Sequence, residues 1–294
     1  MREFHSFDEM NKEDFRALQG ISLNILLYFN DFCKQHNLRF YLAGGTLIGA
    51  VRHKGFIPWD EDIDVHMPRP DYDRLINLWN NYADTERYSL CVTDEKHNYR
   101  HHAYSICDNN TTLIERRNIN DDIAQGIKID ILPFDGVPKS KIRQWIQFFW
   151  AIIFAIYNVQ RLPENQGGLI MHCAVWGALK LIRKKTRYKI WKYAQKQMSK
   201  YDFDESEYVR ELVAPLRSMM FIYPRDKFTD AFWVEFEEHQ MPAQHYYEEY
   251  LERVYKDYMN LPPKDKQHPK GDVVYINLDK SYKEYRGIYY CKNS

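Results

Sequence analysis

The chain has 294 residues, 45% of them apolar, which is enough to bury one large core or two small ones. Lys plus Arg and Asp plus Glu total 41 each, so no bulk positive field points to a nucleic-acid partner. From Met1 to Asp14 the chain is polar and charged with no apolar run of the secretory kind, and a reducing, cytoplasmic setting is the expectation.

In chain order, apolar residues at helical spacing (Leu18, Ile21, Ile25, Leu26, Phe29) predict a helix from Phe15 to His36, ending before Asn37. A short strand from Phe40 to Ala43 follows, then the Gly44-Gly45-Thr46 turn and a helical stretch from Leu47 to about His53. A second strand, Asp62 to Met67, leads into a proline-opened helix near Asp71 to Tyr82. Strand-like segments run through Tyr88 to Val92, His101 to Cys107 and Gly126 to Leu132. Beyond Pro138 the pattern turns helical, at Lys141 to Val159, Leu169 to Arg183 and Thr186 to Tyr201. A further helix covers Tyr246 to Met259, and an aromatic tail from Val273 to Tyr290 reads as extended. The fold class expected is α+β, a mixed sheet with flanking helices. Three regions are expected: a core over 1–138, a helical subdomain over 139–205, and a part over 206–294 that completes the catalytic domain.

Five scattered cysteines, Cys33, Cys91, Cys107, Cys173 and Cys291, include no C-x-x-C pair and read as free or buried thiols. Asn109 and Asn110 each begin an N-x-T sequon and are read as loop residues. His53, His66, His101 and His102 read as solvated or hydrogen-bonded structural residues.

Chemistry concentrates in Trp59-Asp60-Glu61-Asp62-Ile63-Asp64-Val65-His66-Met67. Strand alternation puts Ile63, Val65 and Met67 on one face and Asp62, Asp64 and His66 on the other. Two strand rises separate Asp62 from Asp64, roughly 7 Å, and two such charges repel by roughly 2 kcal/mol at an effective dielectric near 20. A divalent cation reverses that sign. In Gly126-Ile127-Lys128-Ile129-Asp130-Ile131-Leu132 three isoleucines mark a core face with Asp130 opposite. If the two strands are neighbours, Asp130 supplies a third carboxylate to a magnesium site and is the candidate base. Gly44, Gly45 and Thr46 at a strand-to-helix turn let backbone N–H groups approach a phosphate, with Arg52 and Lys54 about two turns on as further phosphate contacts. Each signal is weak alone: a tight turn needs only one glycine, and paired acids commonly mark a solvated strand edge. Their order along the chain is what carries weight.

The run from Tyr41 to Asp64, Tyr-Leu-Ala-Gly-Gly-Thr-Leu-Ile-Gly-Ala-Val-Arg-His-Lys-Gly-Phe-Ile-Pro-Trp-Asp-Glu-Asp-Ile-Asp, closely resembles the signature of the LicD family, which includes fukutin-type proteins. Ile129-Asp130-Ile131-Leu132-Pro133-Phe134-Asp135-Gly136-Val137-Pro138 and the stretch from Tyr250-Leu251 to Leu261-Pro262-Pro263 are similar too. The resemblance implies the nucleotidyltransferase fold and a phosphotransferase that moves a phospho-alcohol, phosphocholine foremost, from a CDP-activated donor such as CDP-choline to a cell-surface glycan or its lipid-linked precursor. On it Asp62, Asp64 and Asp130 become ligands of Mg2+, with Mn2+ as the alternative ion, and Gly44, Gly45 and Thr46 the phosphate turn; Asp60 joins them as a neighbouring acid or extra ligand. Ser105-Ile106-Cys107-Asp108 departs from the basic Lys-Ile-Arg-Asp-like string of relatives, which leaves the donor open. Two other readings stay in view: a nucleotidyltransferase releasing pyrophosphate, and an inert glycan-binding relative.

Trp145 to Val159 is strongly apolar but short of the ~20 residues a membrane span needs. Lys180 to Lys200 holds nine Lys or Arg and no acid. Together they suit docking at the inner leaflet of a membrane. The plainer alternative is a core helix beside a solvated basic face offset by the acidic stretch Glu235 to Glu252.

Overall fold

The computed structural model describes residues 2–99, 103–160, 175–177 and 179–292. A short strand, β1 (Glu3–Phe4), precedes the first long helix, α1 (Lys12–His36). The Asn11 side chain caps α1 by accepting from the N–H groups of Glu13 and Asp14, and Asn37 ends it in the left-handed conformation. Between these caps Leu18, Ile25, Leu26 and Phe29 turn into the core, the face their spacing predicts.

Next come β2 (Tyr41–Leu42), α2 (Gly44–His53), β3 (Asp64–Pro68), α3 (Arg69–Tyr82), β4 (Tyr88–Cys91), β5 (Tyr104–Asp108), β6 (Thr112–Glu115) and β7 (Lys128–Val137). The central sheet runs β2-β3-β7-β5-β4, with β3 and β7 parallel and the other pairs in it antiparallel. Helices pack against this mixed sheet, so the α+β class expected from the sequence is the one observed. Ile63, Val65, Ile129 and Ile131 are completely buried, which is why β3 and β7 lie centrally.

Helix α4 (Lys141–Val159) has the limits its sequence predicts, and it packs on α5 (Lys184–Met198) through Ala151, Phe154, Trp191, Ala194 and Met198. The buried Gln147 amide ties this pair to the sheet. It donates to the carbonyls of Gly136 and Met198, both at 2.8 Å, and accepts from Arg210 at 2.7 Å. The chain then returns to the central sheet through β8 (Tyr208–Glu211) on the second half of β7, and β9 (Tyr223–Pro224) pairs with β8. A hairpin of β10 (Ala231–Phe236) and β11 (His239–Gln244), helix α6 (Tyr247–Tyr255), and β12 (Val273–Asn277) complete the order. Strand β12 lies between β1 and β6 in a separate sheet.

Several sequence expectations shift. Strand β3 starts at Asp64, so Asp62 belongs to the preceding loop. Helix α2 takes in the glycine turn and starts at Gly44. Helix α6 stops at Tyr255, where Lys256 takes a positive φ. The tail is extended only to Asn277, after which the Ser281 hydroxyl caps a 3-10 turn at Tyr282–Tyr285. The β10–β11 hairpin was not anticipated. Its two-residue turn is Glu237-Glu238, both at positive φ, a conformation that Asn-Gly sequences announce and a pair of glutamates does not. The four cysteines within the described residues are buried, as expected; Cys173, His101, His102 and the first part of the helix expected from Leu169 lie outside the described residues.

Candidate active site

Parallel pairing of β3 with β7 sets Asp64 directly opposite Asp130. The Asp130 N–H donates to the Ile63 carbonyl at 2.8 Å, which locks this register next to the carboxylates. On β5 the Ser105 hydroxyl donates to Asp130 Oδ1 at 2.5 Å. Lys128, two residues earlier on the same face of β7, brings its Nζ to 3.8 Å from Asp130 and 3.7 Å from Glu115. Asp62, just ahead of β3, shares a cleft of about 730 Å³ with Asp130.

The acids repel one another. Burial, then Asp60, Glu61 and Asp130, push the Asp62 carboxyl up to about 8 against the pull of Lys128. Burial, then Asp62 and Asp130, raise Asp64 well above the ordinary carboxylate range, and burial with Glu61 raises Asp60 to about 6. At neutral pH such a cluster demands protons or a cation.

The glycine turn closes onto these acids. A Cβ on Gly44, which sits at φ +52°, would lie 3.0 Å from Asp64 Oδ2, and one on Gly45 would lie 2.5 Å from Asp60 Oδ2. Only glycines let the first turn of α2 approach so near, and the positive end of the helix then faces the negative charges. Thr46 completes the join, its hydroxyl accepting from the Asp64 N–H at 2.9 Å while the Ala43 N–H donates to the Asp64 carbonyl at 3.0 Å. The loop bearing Asp60 and Asp62 is held from α1, where the Gln19 amide donates to the carbonyls of Ile57 and Asp60. On its other flank Glu237 accepts from the Phe56 N–H at 3.0 Å and pairs with Arg16.

Gly44, Gly45, Thr46, Asp62, Asp64 and Asp130 are therefore brought together. Arg52 and Lys54 are not at the turn, because they leave α2 from its opposite end. The Arg52 guanidinium donates to the carbonyls of Tyr258 at 2.6 Å and Asn260 at 3.3 Å, with an electrostatic reach to Asp60, and Lys54 Nζ lies 3.1 Å from Glu235. His66, placed by alternation on the acid face, is buried, its Nε2 3.5 Å from Glu211.

Other residues at the site were not singled out in the sequence. Tyr255 at the end of α6 sits over Gly44, its phenol raised first by burial and then by Asp64 and Glu211. Arg116, Arg117, Lys128 and Lys270 line the cleft with Asp62 and Asp130, interleaved with the acids Glu61, Glu115 and Asp272, and Arg116 and Arg117 pair with Asp272 and Glu115. Lys128 was legible as a charge on the Asp130 face of its strand. Tyr255 lies inside the family-like stretch from Tyr250 to Pro263, whereas Arg116, Arg117 and Lys270 come from segments with no local signal.

Among the described residues no three His, Cys, Asp or Glu side chains converge into a ready-made metal cage. The donor set still fits magnesium, which is ordinarily held by one or two carboxylates plus substrate phosphates. A hard-oxygen pair, Asp64 and Asp130, strand-adjacent with Asp62 beside them, is such a set.

Comparison with known proteins bears on this geometry. Residues 37–162 match the family model described as LicD/FKTN/FKRP, nucleotidyltransferase domain. Over 271 residues the chain is 30% identical to the lipopolysaccharide cholinephosphotransferase LicD of Haemophilus influenzae, covering 88% of this chain and 97% of that protein. The chain belongs to the LicD family. An uncharacterized protein of Rickettsia prowazekii is 32% identical over 103 residues, 35% of each chain, and one of Rickettsia typhi is 38% identical over 42 residues. The LicD match runs from just before β2 to just after α4, so it holds the glycine turn and all three aspartates, while Tyr255 and Lys270 lie beyond it.

Proposed function

We propose that this protein transfers a phospho-alcohol group, phosphocholine foremost, from a CDP-activated donor to a hydroxyl of a surface glycan or its lipid-linked precursor. The observation that carries this reading is the Asp64–Asp130 register beside the Gly44-Gly45 turn, in a chain 30% identical over most of its length to a lipopolysaccharide cholinephosphotransferase.

The cleft suits a diphosphate. Lys128, Arg116, Arg117 and Lys270 are the basic side chains of its lining, and the first turn of α2, which closes onto Asp64 and Asp60, would add backbone N–H donors for phosphate. Asp64 and Asp130, with Asp62 beside them, would hold a Mg2+ ion, with Mn2+ as the alternative, and the ion would neutralise donor phosphate charge and polarise the phosphorus under attack. Asp130 takes the proton of the attacking hydroxyl, and the Ser105 hydroxyl fixes the carboxylate for that task. A bond forms from the acceptor oxygen to the phosphorus bearing the alcohol, the bond from that phosphorus to the bridging oxygen breaks, and CMP departs with the electron pair.

Incubation with Mg2+ and a panel of CDP-alcohols, with a glycan acceptor, tests this. CMP release that depends on the donor alcohol is the expected result. Release of pyrophosphate from a nucleoside triphosphate would replace the proposal with nucleotidyl transfer, and absence of magnesium-dependent nucleotide binding would replace it with an inert glycan-binding role.

A further inference from the structure

Helix α4 has no charged side chain between residues 144 and 159. Ile142, Trp145, Ile146 and Phe149 recur at i, i+3, i+4 and i+7, so they form a single row along one face. They are 74%, 62%, 44% and 54% exposed, a contiguous apolar strip of a kind that marks an interaction surface. The strip leads into a basic cleft. The Phe149 ring packs on Trp150 at 5.4 Å, Trp150 packs on Tyr193 at 5.2 Å, and Tyr193 lines a cleft of about 470 Å³ together with Lys189, Lys192 and Lys196 of α5.

Charge complementarity identifies the occupant. Residues 180–200 carry nine Lys or Arg and no acid. Three acids of the 235–252 stretch are committed elsewhere, Glu235 on Lys54, Glu237 on Arg16 and Glu249 on Arg253. A second copy of the chain meeting the same patch would set lysine against lysine, because a two-fold contact is self-complementary.

We propose that the α4–α5 pair docks on an anionic bilayer surface, with Trp145 and Phe149 seated at the headgroup boundary and Lys189, Lys192 and Lys196 meeting lipid phosphates. The arrangement joins an aromatic-rich apolar face to a basic one, the pattern of helices that lie in a membrane interface. Helix α4 lies along the surface; among the described residues no helix is long and apolar enough to cross a membrane.

The test is sedimentation of the full chain with vesicles of phosphatidylcholine alone and of phosphatidylcholine with phosphatidylglycerol. Binding at least tenfold tighter to the anionic vesicles, weakened by salt, is expected. The triple variant Lys189→Gln, Lys192→Gln, Lys196→Gln weakens it on the order of 100-fold. Trp145→Ser with Phe149→Ser weakens it too, with an unchanged circular dichroism spectrum because both side chains are exposed. Equal partition into the two vesicle types, no binding to either, or variants that bind as the parent does would overturn the proposal. A concentration-dependent dimer abolished by the double variant, without vesicle binding, would overturn it in favour of self-association. The readout needs no turnover, so its outcome is separate from that of the proposed reaction.

Discussion

Asp64 on β3 and Asp130 on β7 face each other across a parallel strand pair, 66 positions apart in sequence and one strand spacing apart in space. Neighbouring strands lie about 4.8 Å apart, so each carboxylate raises the cost of ionising the other. Asp64→Asn and Asp130→Asn are each expected to lower CMP release by on the order of 100-fold or more. Thermal unfolding of the metal-free variants should occur at the parental temperature or above it, since a repulsion has been removed. Parental turnover in either variant would contradict the assignment.

Gly44 and Gly45 predict a second pattern. Gly44→Ala adds a side chain at φ +52° and against Asp64 Oδ2, so a loss of about 1–2 kcal/mol in stability is expected from backbone strain alone. Gly45→Ala has ordinary backbone angles but drives into Asp60, and it should impair turnover more than stability. Denaturant titration beside donor turnover separates the two; equal effects on both quantities in both variants would argue against a turn shaped by the carboxylates.

Arg52 and Lys54 separate positioning from binding. Lys54 pairs with Glu235 at an exposed edge, and Lys54→Ala should leave the donor KM within about twofold of the parent. Arg52 holds the carbonyls of Tyr258 and Asn260, just beyond the helix that carries Tyr255, so Arg52→Ala should cost about 1–2 kcal/mol of stability. A large rise in donor KM for Lys54→Ala would identify it as a phosphate contact instead.

Glu237 supplies a pH dependence. Burial opposes its ionisation, yet the Arg16 guanidinium and the Phe56 N–H outweigh burial and hold its carboxyl below the ordinary value of 4.5. An acid with a lowered folded pKa contributes stability that is complete above its unfolded value and is lost as pH falls through the folded one. Glu237→Gln should therefore be less stable than the parent at pH 7, by no more than about 1 kcal/mol because solvent screens the half-exposed Arg16, with the gap closing as pH falls below the ordinary value of 4.5. Melting curves across that range check it, and a gap that widened on acidification would reverse the sign argued here.

How far the site could be read in advance depended on the length scale of each feature. Buried isoleucines alternating with aspartates declare a face, because side-chain period is a local property of the strand. The α4 limits were legible for the same reason, from unbroken helical periodicity between Pro138 and Gln160. The β10–β11 hairpin was not, since two glutamates held at positive φ obey tertiary packing rather than turn preference.

By itself the chain determined an α+β class, a Gly-Gly-Thr turn leading into a helix, and aspartates opposite isoleucines on two strands. Only tertiary structure decided that those strands are neighbours in a register pairing Asp64 with Asp130. It alone brought Tyr255 over Gly44 and Lys270 into the cleft, and set Arg52 on the Tyr258 carbonyl and Lys54 on Glu235. The physical reason is that periodicity and turn chemistry act over a few residues, whereas strand pairing and ion pairing are chosen by burial summed over the whole core.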